Sequence, residues 1–376
     1  MTPQTVRVEL AATGGCDRSY DIRVGQGILA EIGPQLAAHK VTRAVVIADA
    51  AVVAQHARIA LESLHAAGLD TLVLEVASGE GSKAAGEAAR LWGDLAEAAV
   101  DRKTHIVAVG GGVVGDLAGF VAATYVRGLA VWQVPTTLVA QVDSAIGGKT
   151  GINLPAGKNL VGCFWQPRGV FSDINSLATL PKREYLSGLA EVVKYGVIRD
   201  ESFFAWLEEH RQAVAAADPA ALHHIILTSS RHKAEVVSQD EHETSGLRAI
   251  LNYGHTFAHA FESASGYGRF LHGEAVSLGM VAAARLACRL GRIDSELVDR
   301  QNRLLAELGL PTDVDSVARE LATDELLAIM RRDKKAVSGQ LRFVLPTRLG
   351  HVELVDGISA ADVAAVLETT GLEATG

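Results

Sequence analysis

The stretch His105-Ile-Val-Ala-Val-Gly-Gly-Gly-Val-Val-Gly-Asp116 decides the fold. A β-branched run breaks into three glycines and gives way to a helical segment, Val114 to Tyr125, which leaves free backbone N–H groups at the carboxyl edge of a strand. Phosphate-bearing ligands bind at that edge in doubly wound sheets. Working outward, Arg43 to Ala48 and Thr71 to Val76 are β-type runs, each followed by an Ala-rich helical segment, Ala51 to Ala67 and Lys83 to Ala99; Leu129 to Val134 is a fourth run. Strands alternating with helices predict βαβ units on a parallel sheet.

Composition shifts near Ser176 to Pro181. Beyond it Arg183 to Ile198, Ser202 to Ala216, Ala220 to Val237, Leu251 to Ala264, Glu274 to Leu290, Glu296 to Leu308 and Asp324 to Arg331 read as amphipathic helices. Two late runs, Leu341 to Leu345 and His351 to Leu354, suit a hairpin or an addition to a sheet. The expected architecture is an N-terminal Rossmann-like α/β domain over residues 1–175 and a mostly helical domain over residues 176–376, with the cleft between them as the default ligand site.

A chain of 376 residues fits two domains at roughly 150 residues each. With 48% hydrophobic and 21% charged residues it falls in the ordinary globular range. Thirty-five Lys and Arg against 44 Asp and Glu give a net charge of −9, which argues against general binding to nucleic acid or to an anionic membrane. Cys16, Cys163 and Cys288 are too few and too dispersed for a disulfide framework, so a reducing cytoplasm is expected. Met1 to Leu10 lacks a secretory signature, and the most apolar stretch, Ala275 to Cys288, is shorter than the ~20 residues of a bilayer span.

Several clusters could carry chemistry. Ser78-Gly-Glu-Gly-Ser-Lys83 follows a strand and offers Glu80 to a ribose hydroxyl and Lys83 to a phosphate or the same sugar. Thr136 and Thr137 follow a strand and Pro135, where helix capping competes with ligand contact. Gln141-Val-Asp-Ser-Ala-Ile-Gly-Gly-Lys149-Thr-Gly-Ile-Asn153, continuing to Gly157-Lys158-Asn159, sets glycines beside two lysines in what reads as a long phosphate-binding loop, without the spacing of a nucleotide P-loop. Glu191 sits in the apolar helix Leu186 to Tyr195, His255 and His259 lie four apart on one helical face, and His272 opens another apolar helix. Two histidines and one carboxylate would leave a zinc ion an open position, the catalytic pattern. Basic side chains recur nearby: Lys194, Lys233, Arg248 before Asn252, and Lys334-Lys335.

Taken in order, Gly111-Gly-Val-Val-Gly-Asp116, Tyr125-Val-Arg-Gly128, Pro135-Thr-Thr-Leu138, Gln141-Val-Asp143, Gly147-Gly-Lys-Thr-Gly151, Gly157-Lys-Asn159, Gly188-Leu-Ala-Glu-Val-Val-Lys194, Asn252-Tyr-Gly-His255, His272-Gly-Glu-Ala275 and Arg332-Asp-Lys-Lys335 resemble the 3-dehydroquinate synthase family, from about Asp49 to His351. The resemblance implies an NAD-binding α/β domain, a helical metal domain and a homodimer. It implies Glu191, His255 and His272 as ligands of Zn2+, with Co2+ as the alternative, and moves His259 from ligand to substrate contact. NAD would be held by Asp49, Glu80, Lys83, Gly111, Gly112, Val113, Gly115, Asp116, Thr136, Thr137, Lys149, Lys158, Ser176 and Thr179. Asp143, Lys149, Asn159, Lys194, Lys233, Arg248, Asn252, His259 and one of Lys334 or Lys335 would meet the substrate, and Arg127 would reach the neighbouring subunit's phosphate site. Ala51 stands where the family often has a polar residue, which implies a weaker contact to the adenosine ribose.

By the same resemblance the substrate is 3-deoxy-D-arabino-heptulosonate 7-phosphate. Transient oxidation by NAD, loss of phosphate, reduction, ring opening and an intramolecular aldol closure yield 3-dehydroquinate, in the second step of the shikimate pathway. The rivals are another sugar phosphate cyclase, a metal-dependent polyol dehydrogenase and a non-catalytic NAD-sensing relative. Lys233, Arg248, Asn252 and His259 speak against the first, the lysine cluster against the second, and the intact Glu191, zinc histidines and Lys194 against the third.

Overall fold

The computed structural model describes residues 2–12, 17–266, 268–332 and 341–368. They form two compact units. Unit 1 comprises residues 1–181 and 222–242, and unit 2 comprises residues 182–221 and 243–376. The division falls at Pro181 rather than at residue 175, and residues 222–242, expected in the helical half, belong to unit 1.

Unit 1 contains, in chain order, β1 (Gln4–Val8), β2 (Tyr20–Gly25), α1 (Ile32–Ala38), β3 (Arg43–Asp49), α2 (Arg58–Ala66), β4 (Asp70–Val76), α3 (Ala85–Glu97), β5 (His105–Gly110), α4 (Gly112–Thr124), β6 (Ala130–Pro135), β7 (Lys149–Leu154), β8 (Gly157–Phe164) and β9 (Gly169–Asp173). A seven-stranded sheet runs β1-β2-β9-β6-β5-β3-β4, with every neighbouring pair parallel except β1 against β2. Strand β3 is apolar from Ala44 to Ala48 because both of its faces are covered there. Val45 and Ile47 pack with Leu91 of α3 and Leu117 of α4, while Ala44, Val46 and Ala48 pack with Leu36 of α1 and Leu64 of α2.

Unit 2 contains α5 (Lys182–Arg199), α6 (Glu201–Ala215), α8 (His255–Ala264), α9 (His272–Arg289), α10 (Ser295–Glu307), α11 (Val314–Glu320), α12 (Thr323–Arg332), the antiparallel hairpin β10 (Leu341–Arg348) and β11 (His351–Ile358), and α13 (Ala360–Glu368). Between α6 and α8, α7 (Pro219–Gln239) lies almost wholly in the segment that belongs to unit 1. Helix α5 is buried from Ser187 through Ile198, so it is the central helix of its unit and its polar residues Glu191 and Lys194 have no access to bulk water.

Several local expectations shift. The segment read as a long loop is instead the β7–β8 hairpin. The helix expected from Ala51 begins as a turn and a wide π-type turn, with regular α geometry only from Arg58. The helix expected from Leu251 starts at His255, because Gly254 ahead of it holds a left-handed φ of 80° and breaks the path from the preceding 3-10 turn. The late runs form a hairpin of their own. Among the described residues no helix is long and apolar enough to cross a membrane.

Candidate functional site

In unit 1 the strand order reverses between β3 and β5, since the chain passes from β3 to β4 on one side and then to β5 and β6 on the other. The crevice at such a reversal is where ligands bind. Asp49 ends β3, and its Oδ1 accepts from the Ala51 N–H at 2.9 Å and from the Ser78 hydroxyl. Opposite it, β5 ends at Gly110 and α4 starts at Gly112, so the first-turn N–H groups of Gly112, Val113 and Val114 have no partner within the helix. The glycines also serve packing: a Cβ on Gly112 would come within 2.9 Å of Ser144 Oγ.

Two chains of side-chain bonds tie this edge together. Lys83, 4% exposed, donates to Asp116 Oδ2 on α4 and to Asn159 Oδ1 on β8, both at 2.5 Å. Asn159, at a left-handed φ of 55°, donates its N–H to Asn153 Oδ1 at 2.9 Å, and Asn153 donates to Glu80 Oε1 at 2.6 Å. Glu80, Lys83, Asp116 and Asn159 therefore form one network, with burial raising the Asp116 carboxyl above the usual range against the pull of Lys83. In the second chain Lys233 Nζ on α7 donates to the Asp143 carbonyl at 2.6 Å and to its Oδ1 at 2.7 Å. Lys149 is exposed and Lys158 half-buried on the same hairpin.

Other expected positions are engaged differently. Thr137 Oγ1 accepts from the Ala140 N–H at 3.2 Å, a capping bond, and the Thr136 N–H donates to the Gly110 carbonyl at 2.9 Å. Ser176 is 2% exposed, with its hydroxyl between Gln141 Nε2 and the Asp173 carbonyl, while Thr179 Oγ1 lies 2.8 Å from His56 Nε2. Arg127 is exposed on a turn where it and Val126 both hold positive φ, 68° and 43°. For a β-branched residue that conformation is an outlier of the kind that collects at functional sites.

Unit 2 assembles the metal-type residues. Glu191 of α5, His255 at the start of α8 and His272 at the start of α9 bring their ligand atoms within 4.8 Å of one another. Glu191 Oε1 lies 3.6 Å from His255 Nε2 and 3.3 Å from His272 Nε2, and Lys194 Nζ forms an ion pair with Oε2. Glu191 is fully buried, yet neither oxygen has a partner at proper hydrogen-bond angles, so charge neighbours hold it without saturating its lone pairs. His255 Nδ1 lies 3.1 Å from the Tyr253 carbonyl, which can only accept, so Nδ1 carries the hydrogen and Nε2 turns its lone pair to Glu191.

Burial opposes ionisation of Glu191, but Lys194 and His272 outweigh it and bring the carboxyl down to about 2; burial likewise opposes protonation of His272, while Glu191 and Glu262 push it up to about 10. That proton occupies the place a divalent cation would take, so cation and proton compete for the site. Two imidazole nitrogens and a carboxylate with unsaturated lone pairs fit zinc with a position left for water or substrate. His259, one turn beyond His255, packs edge-on to it at 5.7 Å between ring centroids. Arg248 is 2% exposed and Asn252 half-buried on the 3-10 turn before Gly254. Lys334 and Lys335 lie outside the described residues.

Comparison with known proteins matches residues 73–187 to the model of the 3-dehydroquinate synthase N-terminal region and residues 188–336 to that of the 3-dehydroquinate synthase C-terminal region. A curated 3-dehydroquinate synthase of Rhodopirellula baltica is 47% identical over 358 residues, covering 93% of this chain and 94% of that one. The chain belongs to the 3-dehydroquinate synthase family. Members of two related cyclase types share its fold. A 2-deoxy-scyllo-inosose synthase solved with carbaglucose-6-phosphate, NAD+ and Co2+ has a TM-score of 0.86 at 27% identity, covering 97% of this chain and 99% of that one. A 2-epi-5-epi-valiolone synthase from Streptomyces hygroscopicus with NAD+ and Zn2+ bound has a TM-score of 0.85 at 26% identity, covering 95% and 98%.

Two residues of this 3-dehydroquinate synthase relative escape sequence reasoning. Tyr253 acts through a backbone carbonyl, which no side-chain pattern announces. Glu262 carries one sequence signal, an acid seven residues beyond His255 and so on the same face of the helix, but the four-residue spacing of His255 and His259 points to a different neighbour.

Proposed function

We propose that the chain is a 3-dehydroquinate synthase acting in the cytoplasm as a homodimer: it converts 3-deoxy-D-arabino-heptulosonate 7-phosphate to 3-dehydroquinate and phosphate in the second step of the shikimate pathway. What carries this is the trio Glu191, His255 and His272, the first two buried and the third half-buried, with the Lys194 ammonium paired to one of its members. A polyol dehydrogenase needs the metal ligands but has no use for a buried ammonium beside them, whereas a leaving phosphate does.

Glu191, His255 and His272 would hold zinc or cobalt, and the residues of the β3–β5 crevice, from Asp49 and Lys83 to Asp116, Thr136, Thr137 and Lys158, would hold NAD. When bound, the two supply Lewis-acid polarisation of a substrate oxygen and a reversible hydride acceptor. The protein's own part is charge and proton placement. Lys194, 1% exposed and paired with Glu191, would set its ammonium beside the metal ligands in surroundings of low dielectric, which strengthen its attraction for a phosphate or developing oxyanion. Arg248 and Asn252 would orient the substrate carboxylate, and His259 would carry the proton. In unit 1, Lys149 and Asn159 would meet the phosphate, with Asn159 held in register by Lys83 and Asn153. Lys233, oriented by Asp143, adds a fixed cation. Arg127, on its strained exposed turn, would serve the site of a second subunit.

The test is phosphate release from the heptulosonate phosphate by protein supplied with zinc and trace NAD, with NADH followed in parallel. Stoichiometric phosphate with no build-up of NADH is expected. Accumulating NADH would indicate a dehydrogenase, and absence of phosphate would indicate a cyclase for another sugar phosphate.

A further inference from the structure

Helix α8 carries His255, His259 and Glu262 at spacings of four and three, so the three share a face. Glu262 is 7% exposed and follows the buried apolar residues Phe257, Ala258, Ala260 and Phe261. A carboxylate in such a setting has to be matched by a partner charge or donor. Its Oε1 lies 3.9 Å from Nδ1 of His272, while Nε2 of the same ring lies 3.3 Å from Glu191 Oε1. His272 therefore has one carboxylate facing each ring nitrogen.

We propose that Glu262 is a positioning residue of the metal centre: it keeps the hydrogen of His272 on Nδ1 and so presents the Nε2 lone pair to the cation. The inference rests on the metal reading above and adds a member to it. The neighbouring ligand supplies the comparison, since Nδ1 of His255 is held by the Tyr253 carbonyl and its Nε2 likewise faces Glu191. One histidine is thus oriented by a backbone carbonyl and the other by a carboxylate, and a carboxylate also raises the basicity of the ligand it holds. At 3.9 Å the contact is longer than a hydrogen bond, so the carboxylate acts on the Nδ1–H dipole through its charge, which the neutral amide of Gln lacks.

Zinc affinity is measured by competition with a chromophoric chelator on wild type, Glu262→Gln, Glu262→Asp and His272→Ala, together with the visible spectrum of the cobalt-loaded proteins. Glu262→Gln is expected to lose about 10- to 100-fold in zinc affinity and to shift the cobalt bands, Glu262→Asp to recover part of both, and His272→Ala to lose more than either. Wild-type affinity and spectrum in Glu262→Gln, alongside loss in His272→Ala, overturn the positioning role and leave the metal centre standing. Wild-type affinity in His272→Ala overturns both. Should the Glu262 variants fail to fold, the ring tautomer of His272 in the zinc-loaded wild type decides by nitrogen-15 NMR: hydrogen on Nδ1 supports the proposal and hydrogen on Nε2 overturns it.

Discussion

Replacing Gly279 with Ala should weaken metal binding although the residue touches no metal ligand. Helices α8 and α9 cross at Gly254 and Gly279, and a Cβ built on Gly279 falls 2.1 Å from the Gly254 carbonyl oxygen and 3.0 Å from the Ala258 nitrogen. Both obstacles are backbone, so no side chain can swing away, and the helices must part by about 1 Å to restore ordinary contact. Gly254 immediately precedes His255, whereas His272 opens α9, so the same movement separates the two histidines. Zinc–nitrogen bonds tolerate departures of only about 0.2 Å, so a 1 Å displacement should cost at least the ~10- to 100-fold in affinity seen when a supporting residue is lost. Overpacking itself costs about 1–3 kcal/mol, or roughly 2–12 °C in melting temperature for a unit of this size. The assay is chelator competition for zinc plus thermal melting of the metal-free protein. Gly93→Ala is the control: Gly93 sits in the exposed interior of α3 with no atom near its Cβ position, and there the same change should stabilise by about 0.5–1 kcal/mol. Wild-type zinc affinity and melting temperature in Gly279→Ala, or equal damage from both substitutions, would refute the close-approach account.

Glu191→Gln should lower zinc affinity by more than ~100-fold and, by leaving the Lys194 ammonium buried beside a neutral amide, destabilise the metal-free protein by about 3 kcal/mol, checked by chelator competition and urea unfolding. Lys83→Met should release Asp116 and Asn159 together, costing about 2 kcal/mol of unfolding free energy after allowance for the partial exposure of Asp116, and should weaken NAD binding in equilibrium dialysis. His105 accepts a hydrogen bond from Trp132 Nε1 at 3.0 Å, and burial, then Arg168 and His39, bring its pKa down to about 4. The folded state thus resists a proton that the unfolded chain takes up near pH 6.5, so this stability is complete above pH 6.5 and is lost as pH falls toward 4. Wild type should lose about 2 kcal/mol between pH 7 and 4.5 that His105→Gln does not lose, measured by urea unfolding at both pH values; parallel losses would refute the assignment.

What could be read in advance follows from how local each signal is. Strand β3, buried on both faces, is a continuous apolar run, and the glycine break after β5 marks the crevice without any long-range information. Glu191 stood out because an acid in an apolar helix has few innocent explanations. The β7–β8 hairpin is masked in the sequence because glycines and lysines obscure its alternation; Asn153 of β7 holds Asn159 of β8 within the pair, and Lys83 holds it from outside. Membership of residues 222–242 in unit 1 had no local trace, since the bond of Lys233 to Asp143 spans 90 positions of chain. That His255 rather than His259 joins Glu191 and His272 is a matter of where the helix start sits, which the four-residue spacing of the two histidines does not encode.

The return of residues 222–242 to unit 1 also sets an order of events at the ribosome. Synthesis delivers the six strands of the parallel sheet before Pro181, yet the α7 segment that supplies Lys233 emerges only after α5 and α6 of the other unit have been made. A complete first unit can therefore assemble only after part of the second has been synthesised. For the same reason no single cut in the gene frees a complete cofactor unit. A fragment ending at Pro181 would leave Asp143 without its lysine, and an exchange of modules with a related enzyme would need three junctions instead of one.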